Sequence, residues 1–300
     1  MPFAYRPRFD WHLRTRSLAL GQRTLIMGIL NVTPDSFSDG GHFYSPEHAP
    51  GRALTQALQM LDEGADILDV GGESTRPNAN ALTPEEEQAR ILPVIEAILE
   101  QKPEAILSID THHATTAALA VEAGAQIVND VSGHLWDAAM SNTCAKLGCG
   151  TVLMHTRGRP QDWTTQPPIP SVEILPLVLV GLSERIEAAT IAGIPRDKII
   201  LDPGFGFGKR LDENYPLLAH LDELHQLSLP ILTGASRKSF LGQVLALLYE
   251  SPPPPAEARL HATTAANVAA ILGGTHILRT HDVRPAAEAA AIADRILAAS

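Results

Sequence analysis

Several polar clusters in this chain have side chains and spacings suited to chemistry on a charged, planar ligand. Ser236-Arg237-Lys238-Ser239 offers two hydroxyls, two cations and the backbone N–H groups of a helix start, a combination that suits a phosphate. Arg279 and His281 are two residues apart at the end of an apolar run, so on a strand they share a face and can add to the same anion site. Asp110, Asn129 and Asp202 each close a short apolar run. If they point inward together, two carboxylates and an amide can grip the donor–acceptor edge of an aminated heterocycle, because a carboxylate accepts two parallel N–H bonds.

Asn31 ends the first run and could supply an oxygen to Mg²⁺, an ion that takes few protein ligands and fills its shell with substrate phosphates and water. Asp202-Pro-Gly-Phe-Gly-Phe-Gly-Lys209 has three glycines that let the backbone approach a ligand, and Phe205 and Phe207 offer apolar faces. Plainer readings stand beside these. Asn31 could be a turn residue, Asp202 a cap or ion-pair partner, and Arg237 and Lys238 solvated charges. His155 follows a buried run without a carboxylate or second histidine at ligand spacing, which favours a packed or hydrogen-bonded histidine. The His112-His113 pair at a helix start reads as solvent-facing or capping. There is no HExxH, CxxC or GxSxG pattern, so zinc and serine hydrolases find no support.

Positioning these groups requires a repeated element. Eight short runs rich in Ile, Leu and Val occur near Leu25–Leu30, Ile67–Val70, Ala105–Ile109, Gln126–Val128, Thr151–Met154, Lys198–Leu201, Pro230–Leu232 and His276–Leu278. None alternates with polar residues, as expected of parallel strands buried on both faces. Helical patterns separate them, at 46–63, 84–100, 114–123, 135–147, 172–192, 214–226, 258–272 and 285–298. Thr83 before Pro84 and three glutamates makes a good helix start. Gly64, Gly124, Gly148, Gly193 and Gly273 or Gly274 suit left-handed caps at helix ends.

Polar residues at all eight strand ends point to an α/β fold of the TIM type, a closed (β/α)₈ barrel with its site at the carboxyl rim; an open doubly wound sheet is the alternative. The alternation from Phe9 to Leu20 predicts an antiparallel hairpin closing the opposite end. The loops Asn31–Gly41 and Gly71–Pro77 are long for such connections and have the composition of binding loops.

With 300 residues and 45% hydrophobic content, a single barrel domain is expected. A net charge of −11 and no long basic run argue against nucleic acid. No apolar stretch reaches membrane-spanning length uninterrupted, so no membrane association is expected. The arginines of the first 16 residues are interrupted by Asp10 and no apolar signal core follows. Two cysteines, Cys144 and Cys149, in a run of small and apolar residues read as buried thiols in a reducing compartment, consistent with a cytoplasmic location.

From about Thr24 to Val283 the chain resembles the dihydropteroate synthase family. The resemblance rests on Met27-Gly-Ile-Leu-Asn-Val-Thr-Pro-Asp-Ser-Phe-Ser-Asp-Gly-Gly41, Asp69-Val-Gly-Gly-Glu-Ser-Thr-Arg-Pro77, Asn129-Asp130, Leu201-Asp-Pro-Gly-Phe-Gly-Phe-Gly-Lys209, Ser236-Arg-Lys-Ser239 and Arg279-Thr-His-Asp282, in that order. It implies a transferase of folate biosynthesis that joins 4-aminobenzoate to 7,8-dihydropterin-6-ylmethyl diphosphate, giving 7,8-dihydropteroate and pyrophosphate. It also implies a Mg²⁺ cofactor, a homodimer and a sulfonamide target. By resemblance, Asp110, Asn129, Asp202 and Lys238 bind the pterin, with Arg279 stacked beside it. Asn31, Thr75, Arg76, Arg279 and His281 belong to the diphosphate and Mg²⁺ region, beside the phosphate-suited Ser236. Phe37, Arg76, Pro77, Phe207, Lys238 and Ser239 surround the aminobenzoate. The chain departs from the family at His112 and His113, where a lysine is frequent, at Thr280, where valine is usual, and at Thr156-Arg157. These departures bear on substrate affinity and sulfonamide sensitivity.

Three other activities share parts of this pattern. A methyltetrahydrofolate-dependent methyltransferase would use the pterin-grasping acids and amide without the diphosphate cations. A Schiff-base aldolase would use Lys238. A regulatory barrel would bind pterin without turnover.

Overall fold

The computed structural model describes residues 3, 5–33, 49–73, 82–163 and 165–299. An antiparallel hairpin, β1 (Phe9–His12) and β2 (Ser17–Leu20), precedes eight strands of one sheet. These are β3 (Leu25–Asn31), β4 (Ile67–Gly71), β5 (Leu107–Asp110), β6 (Ile127–Asp130), β7 (Gly150–Met154), β8 (Ile199–Asp202), β9 (Leu232–Thr233) and β10 (Ile277–Thr280). All seven pairings are parallel, in the order β8-β7-β6-β5-β4-β3-β10-β9. A parallel bridge between Leu201 and Ile231 joins the two ends of that order, so the sheet closes into the barrel and the open-sheet alternative falls.

Helices α1 (Ala49–Asp62), α2 (Pro84–Gln101), α3 (Ala114–Glu122), α4 (Met140–Leu147), α5 (Ser171–Ile191), α6 (Asn214–Ala219), α7 (Ser239–Tyr249), α8 (Leu260–Leu272) and α9 (Val283–Ala298) alternate with the strands. Thr83 caps α2 as expected, in a reciprocal capping box with Glu86. Gly64, Gly124, Gly148, Gly193 and Gly274 all take positive φ. The predicted helix over 214–226 divides instead, because after α6 the chain tightens into a 3₁₀ segment, Leu221–Leu227. The pattern over 135–147 becomes helical only at Met140, since Ser132 and Asp137 accept backbone N–H bonds upstream and hold that stretch in turns. Helix α7 begins at Ser239, inside the cluster read as a helix start, although no helical range is predicted after it.

Strand residues two apart face the same way, which explains how the site is built. One face of each strand packs against the helices, through residues such as Leu30, Leu68, Val70, Ile109, Val128 and Leu201. The other face fills the barrel. Its lower layer is apolar: Met27, Ile67, Ile127, Val152, Ile200, Leu232 and Ile277, sealed from below by Trp11, Leu13 and Leu20 of the hairpin segment. Trp11 also donates its indole N–H to the Lys198 carbonyl at 2.9 Å, tying the hairpin to the amino end of β8. Two residues further along, the same face carries Asp69, Asn129, Asp202, Gly234 and Arg279. The barrel interior therefore changes from hydrocarbon to polar within one strand repeat, at the rim predicted for the site.

Candidate active site

Arg279 on β10 is the centre of the polar layer. Its Nε donates to Asp69 Oδ2 at 2.6 Å, and an Nη donates to Asp110 Oδ2. Asn129 donates to the same Asp69 oxygen at 2.9 Å, so residues from β4, β5, β6 and β10 form one connected network. Asp202 joins from the other side: its Oδ1 accepts from the Gly204 N–H at 2.7 Å. A Cβ at Gly234 would stand 4.0 Å from Asp202 Oδ2 and 3.8 Å from the Arg279 side chain, so both groups flank the same point of the rim. Asp110, Asn129, Asp202 and Arg279 are thus together at one rim, as their spacing predicts.

Asp69 is a member that sequence reasoning left unassigned. Its side chain is fully buried, and Oδ1 has no hydrogen-bond partner among the described residues. The available signal was a carboxylate inside the apolar run Ile67-Leu68-Asp69-Val70, two residues after an inward isoleucine, where burial without a partner would be costly.

Lys238 and Phe207 form the second part. The Lys238 ammonium stands 3.9 Å from the centroid of the Phe207 ring, and Trp163 meets the same ring edge-on at 5.0 Å. Phe205, paired with Phe207 in the sequence reading, is instead turned into the main core and stacked against Phe240, because Gly206 between them sits at φ 78° and turns the chain. The loop turns on Gly204, Gly206 and Gly208, all at positive φ. At Gly204 an added Cβ would meet the His155 carbonyl oxygen at 2.0 Å. Gly204→Ala is expected to lower unfolding free energy by at least ~1–3 kcal/mol, read from urea denaturation. Lys209 closes the loop from inside, donating to the carbonyls of His155 and Gly204 at 3.2 and 2.7 Å.

The third part is the start of α7. Ser236 is buried; its hydroxyl lies 3.0 Å from His281 Nδ1 and accepts the His281 N–H at 3.2 Å. Lys238 is the N-cap residue and Ser239 the exposed first residue of the helix, so the unpaired N–H groups and the positive dipole end open beside His281. Arg237 differs from the phosphate-facing cation suggested by its neighbours: at φ 59° its guanidinium turns to Asp282, 2.6 Å away. Asn31 ends β3 at the same rim, paired in register with Gly71, which in turn pairs with Asp110. Phe37, Thr75, Arg76 and Pro77, with most of the first two loops, lie outside the described residues.

The charges in this rim are held away from their ordinary ranges. Burial pushes the Asp110 carboxyl up to about 7, against the pull of Arg279, and burial also raises Asp202. Burial and then Arg279 lower Lys238 to about 8. Burial opposes the charge on Arg279, but Asp69 and Asp110 outweigh it and the guanidinium is held firmly cationic. His281 falls to about 3 through burial and the neighbouring Arg237 and Arg279, so it is a neutral hydrogen-bonding group at working pH. If the acids must be ionised and Lys238 charged for the ligand to bind, kcat/KM is expected to fall below about pH 7 and again above about pH 8. Lys238→Arg should move only the alkaline limb, upward, in a pH series on the free enzyme.

His155 is buried against Gly181 and belongs to the packing, as expected. His112 and His113 do not: His113 occupies the N-cap position of α3 without a side-chain cap, and both imidazoles turn toward carboxylates because Glu87 and Glu73 stand beside them.

Comparison with known proteins identifies the family of this barrel. Residues 27–281 match the family model described as pterin binding enzyme. The dihydropteroate synthase of Bacillus subtilis is 40% identical over 286 residues, 95% of this chain and 93% of that protein. Among solved structures, a Xanthomonas albilineans dihydropteroate synthase with 4-aminobenzoic acid is 38% identical, with a TM-score of 0.85 over 98% of this chain and 99% of that one. The same organism's enzyme in complex with 7,8-dihydropteroate is 36% identical, with a TM-score of 0.82 over 97% and 99%. With this likeness running through nearly its whole length, the chain belongs to the dihydropteroate synthase family of pterin-binding enzymes.

Proposed function

We infer that this chain condenses 7,8-dihydropterin-6-ylmethyl diphosphate with 4-aminobenzoate, releasing pyrophosphate and forming 7,8-dihydropteroate. The observation that carries the reading is the single rim on which an acid- and amide-lined pocket meets a helix start with Arg279, His281 and Ser236. Asp110, Asn129 and Asp202 take the pterin edge, their carboxylates accepting its N–H groups. Lys238 and Phe207 border the ring on the side where the aminobenzoate must enter, with Ser239 exposed beside them. Seating the pterin against Asp110 competes with the Asp110–Arg279 bond and frees part of the guanidinium to lie along the ring and meet the diphosphate.

In the reaction the C–O bond between the pterin methylene and the diphosphate breaks, and a C–N bond forms to the aminobenzoate nitrogen, which gives up a proton to the released pyrophosphate. Positive charge appears on the pterin and negative charge on the departing oxygen. Asp110 and Asp202, with Asp69 beneath, favour the first; Arg279, the neutral His281 and the N–H groups of α7 favour the second, all in place before the bond breaks. No covalent bond to the protein is required. We also propose Mg²⁺ as cofactor: Asn31 offers the hard oxygen that Mg²⁺ accepts, at the rim and beside the diphosphate, and the ion would neutralise charge on the leaving group.

Of the other barrel activities, methyl transfer is less well matched, since it does not need the anion site of Ser236, His281 and Arg279, and an aldol reaction at Lys238 would release no pyrophosphate. A turnover assay separates them. Pyrophosphate release should need Mg²⁺, the pterin diphosphate and 4-aminobenzoate together; release without the amine, or tight pterin binding with no release, would refute the synthase reading.

We further propose a homodimer in a reducing cytoplasm. Helix α7 leaves Val244, Leu247, Leu248 and Tyr249 largely exposed, an apolar face that a second copy would cover, and both cysteines are buried free thiols. No described helix is long and apolar enough to cross a membrane. Sedimentation should give twice the chain mass, and Leu247→Glu should shift it to the single-chain value.

A further inference from the structure

A second group of metal-ligating side chains lies near the pterin pocket, where β4, α2 and the β5–α3 turn meet. We propose that Glu73, His112 and His113 form a binding site for one divalent transition-metal ion of the zinc class. One donor atom from each of the three lies within 4.8 Å of the other two. Glu73 Oε2 is 3.6 Å from His112 Nδ1, and the two imidazole centroids are 4.1 Å apart with the rings inclined at 40°. His112 is steadied by the edge-on ring of Trp136 at 5.2 Å. Bonds of ~2.0–2.2 Å to zinc place ligand atoms somewhat over 3 Å apart, so side-chain rotations of about an ångström complete the set.

Glu87 supplies the second observation. It comes from the first turn of α2, where an acid is expected to face solvent, yet its side chain is fully buried. Its Oε2 accepts from the Thr111 hydroxyl at 2.8 Å and lies 3.1 Å from His113 Nδ1. Its Oε1 is buried with no hydrogen-bond partner among the described residues. A carboxylate held against one imidazole nitrogen fixes the tautomer and orientation of a metal-binding histidine, and such outer partners typically contribute 10–100-fold to affinity (order-of-magnitude).

The donor set determines which ion is taken. Two imidazoles and one carboxylate suit Zn²⁺, Co²⁺ or Ni²⁺, whereas Mg²⁺ takes oxygen ligands. The three side chains are 15–20% exposed, enough for an ion to enter and keep water in its open positions. The site belongs to these residues and does not depend on the proposed reaction.

The test titrates the full metal-free chain, without substrates, with Co²⁺ and follows its visible d–d absorption. One ion per chain should bind, Zn²⁺ should displace it, and a large excess of Mg²⁺ should not. His112→Gln and Glu73→Gln should each weaken binding by at least ~10-fold, with unchanged thermal unfolding in the absence of metal, while His220→Gln at an exposed histidine should leave it unaltered. Absence of Co²⁺ absorption, or equal affinity in His112→Gln and Glu73→Gln, overturns the proposal. Should one of these variants fail to fold, the other decides.

Discussion

Lys238→Ala should lower kcat/KM by on the order of 10²-fold or more while leaving the protein at least as resistant to heat as the parent. The two halves of this expectation come from the same observation. Lys238 is a cation next to Arg279 in a buried rim, its ammonium stacked on Phe207 and pushed down to about 8 by burial and then by Arg279. An amine whose charge is opposed by its surroundings contributes little to folding, so its removal relieves repulsion. Its use must then come from the ligand, which under the proposed function it borders on the side of the incoming amine. Asp202→Asn should behave in parallel, since burial raises that carboxyl too. Steady-state pyrophosphate release and a thermal melt check both; near-normal kinetics in both single variants would remove these residues from the mechanism.

Arg279→Met should lose both activity and stability. Arg279 balances the fully buried Asp69 and the largely buried Asp110, and removing one member of a buried ion pair strands the other at a cost of about 3–5 kcal/mol. The loss of a preorganised cation facing the leaving group should lower kcat/KM by ~10²–10³-fold. Pairing the change with Asp69→Asn separates the effects. In the double variant no carboxylate is stranded at position 69, so urea unfolding should recover a substantial part of the stability, while pyrophosphate release stays as low as in Arg279→Met. Recovery of activity along with stability would mean that Arg279 acts only as a structural counter-ion.

The barrel was legible because each strand is a short apolar run ending in polar residues, and each helix carries its own start or stop, as at Thr83 and Gly148. The polar group at the rim was legible for the same reason: Asp110, Asn129 and Asp202 are the residues at which those runs stop. Asp69 escaped because it lies within its run, and only the partners brought by β6 and β10, 60 and 210 residues away, explain its burial. Arg237 and Lys238 are adjacent with equal charge, yet a left-handed turn at Arg237 sends one to Asp282 and leaves the other in the pocket. Phe205 and Phe207 divide between core and site in the same way. His112 and His113 looked like helix-start residues because Glu73 and Glu87, which turn them into a cluster, come from other elements. Long-range pairing decides such cases, and local spacing does not encode it.

The most direct measurement is a crystal structure of this chain with pteroic acid. The ring should lie at the carboxyl rim with its nitrogen-bearing edge on Asp110, Asn129 and Asp202, Lys238 at its border and the Arg279 guanidinium no longer bonded to Asp110. A pterin bound elsewhere, or an Asp110–Arg279 pair left intact beneath it, would contradict the assignment of this rim as the pterin site.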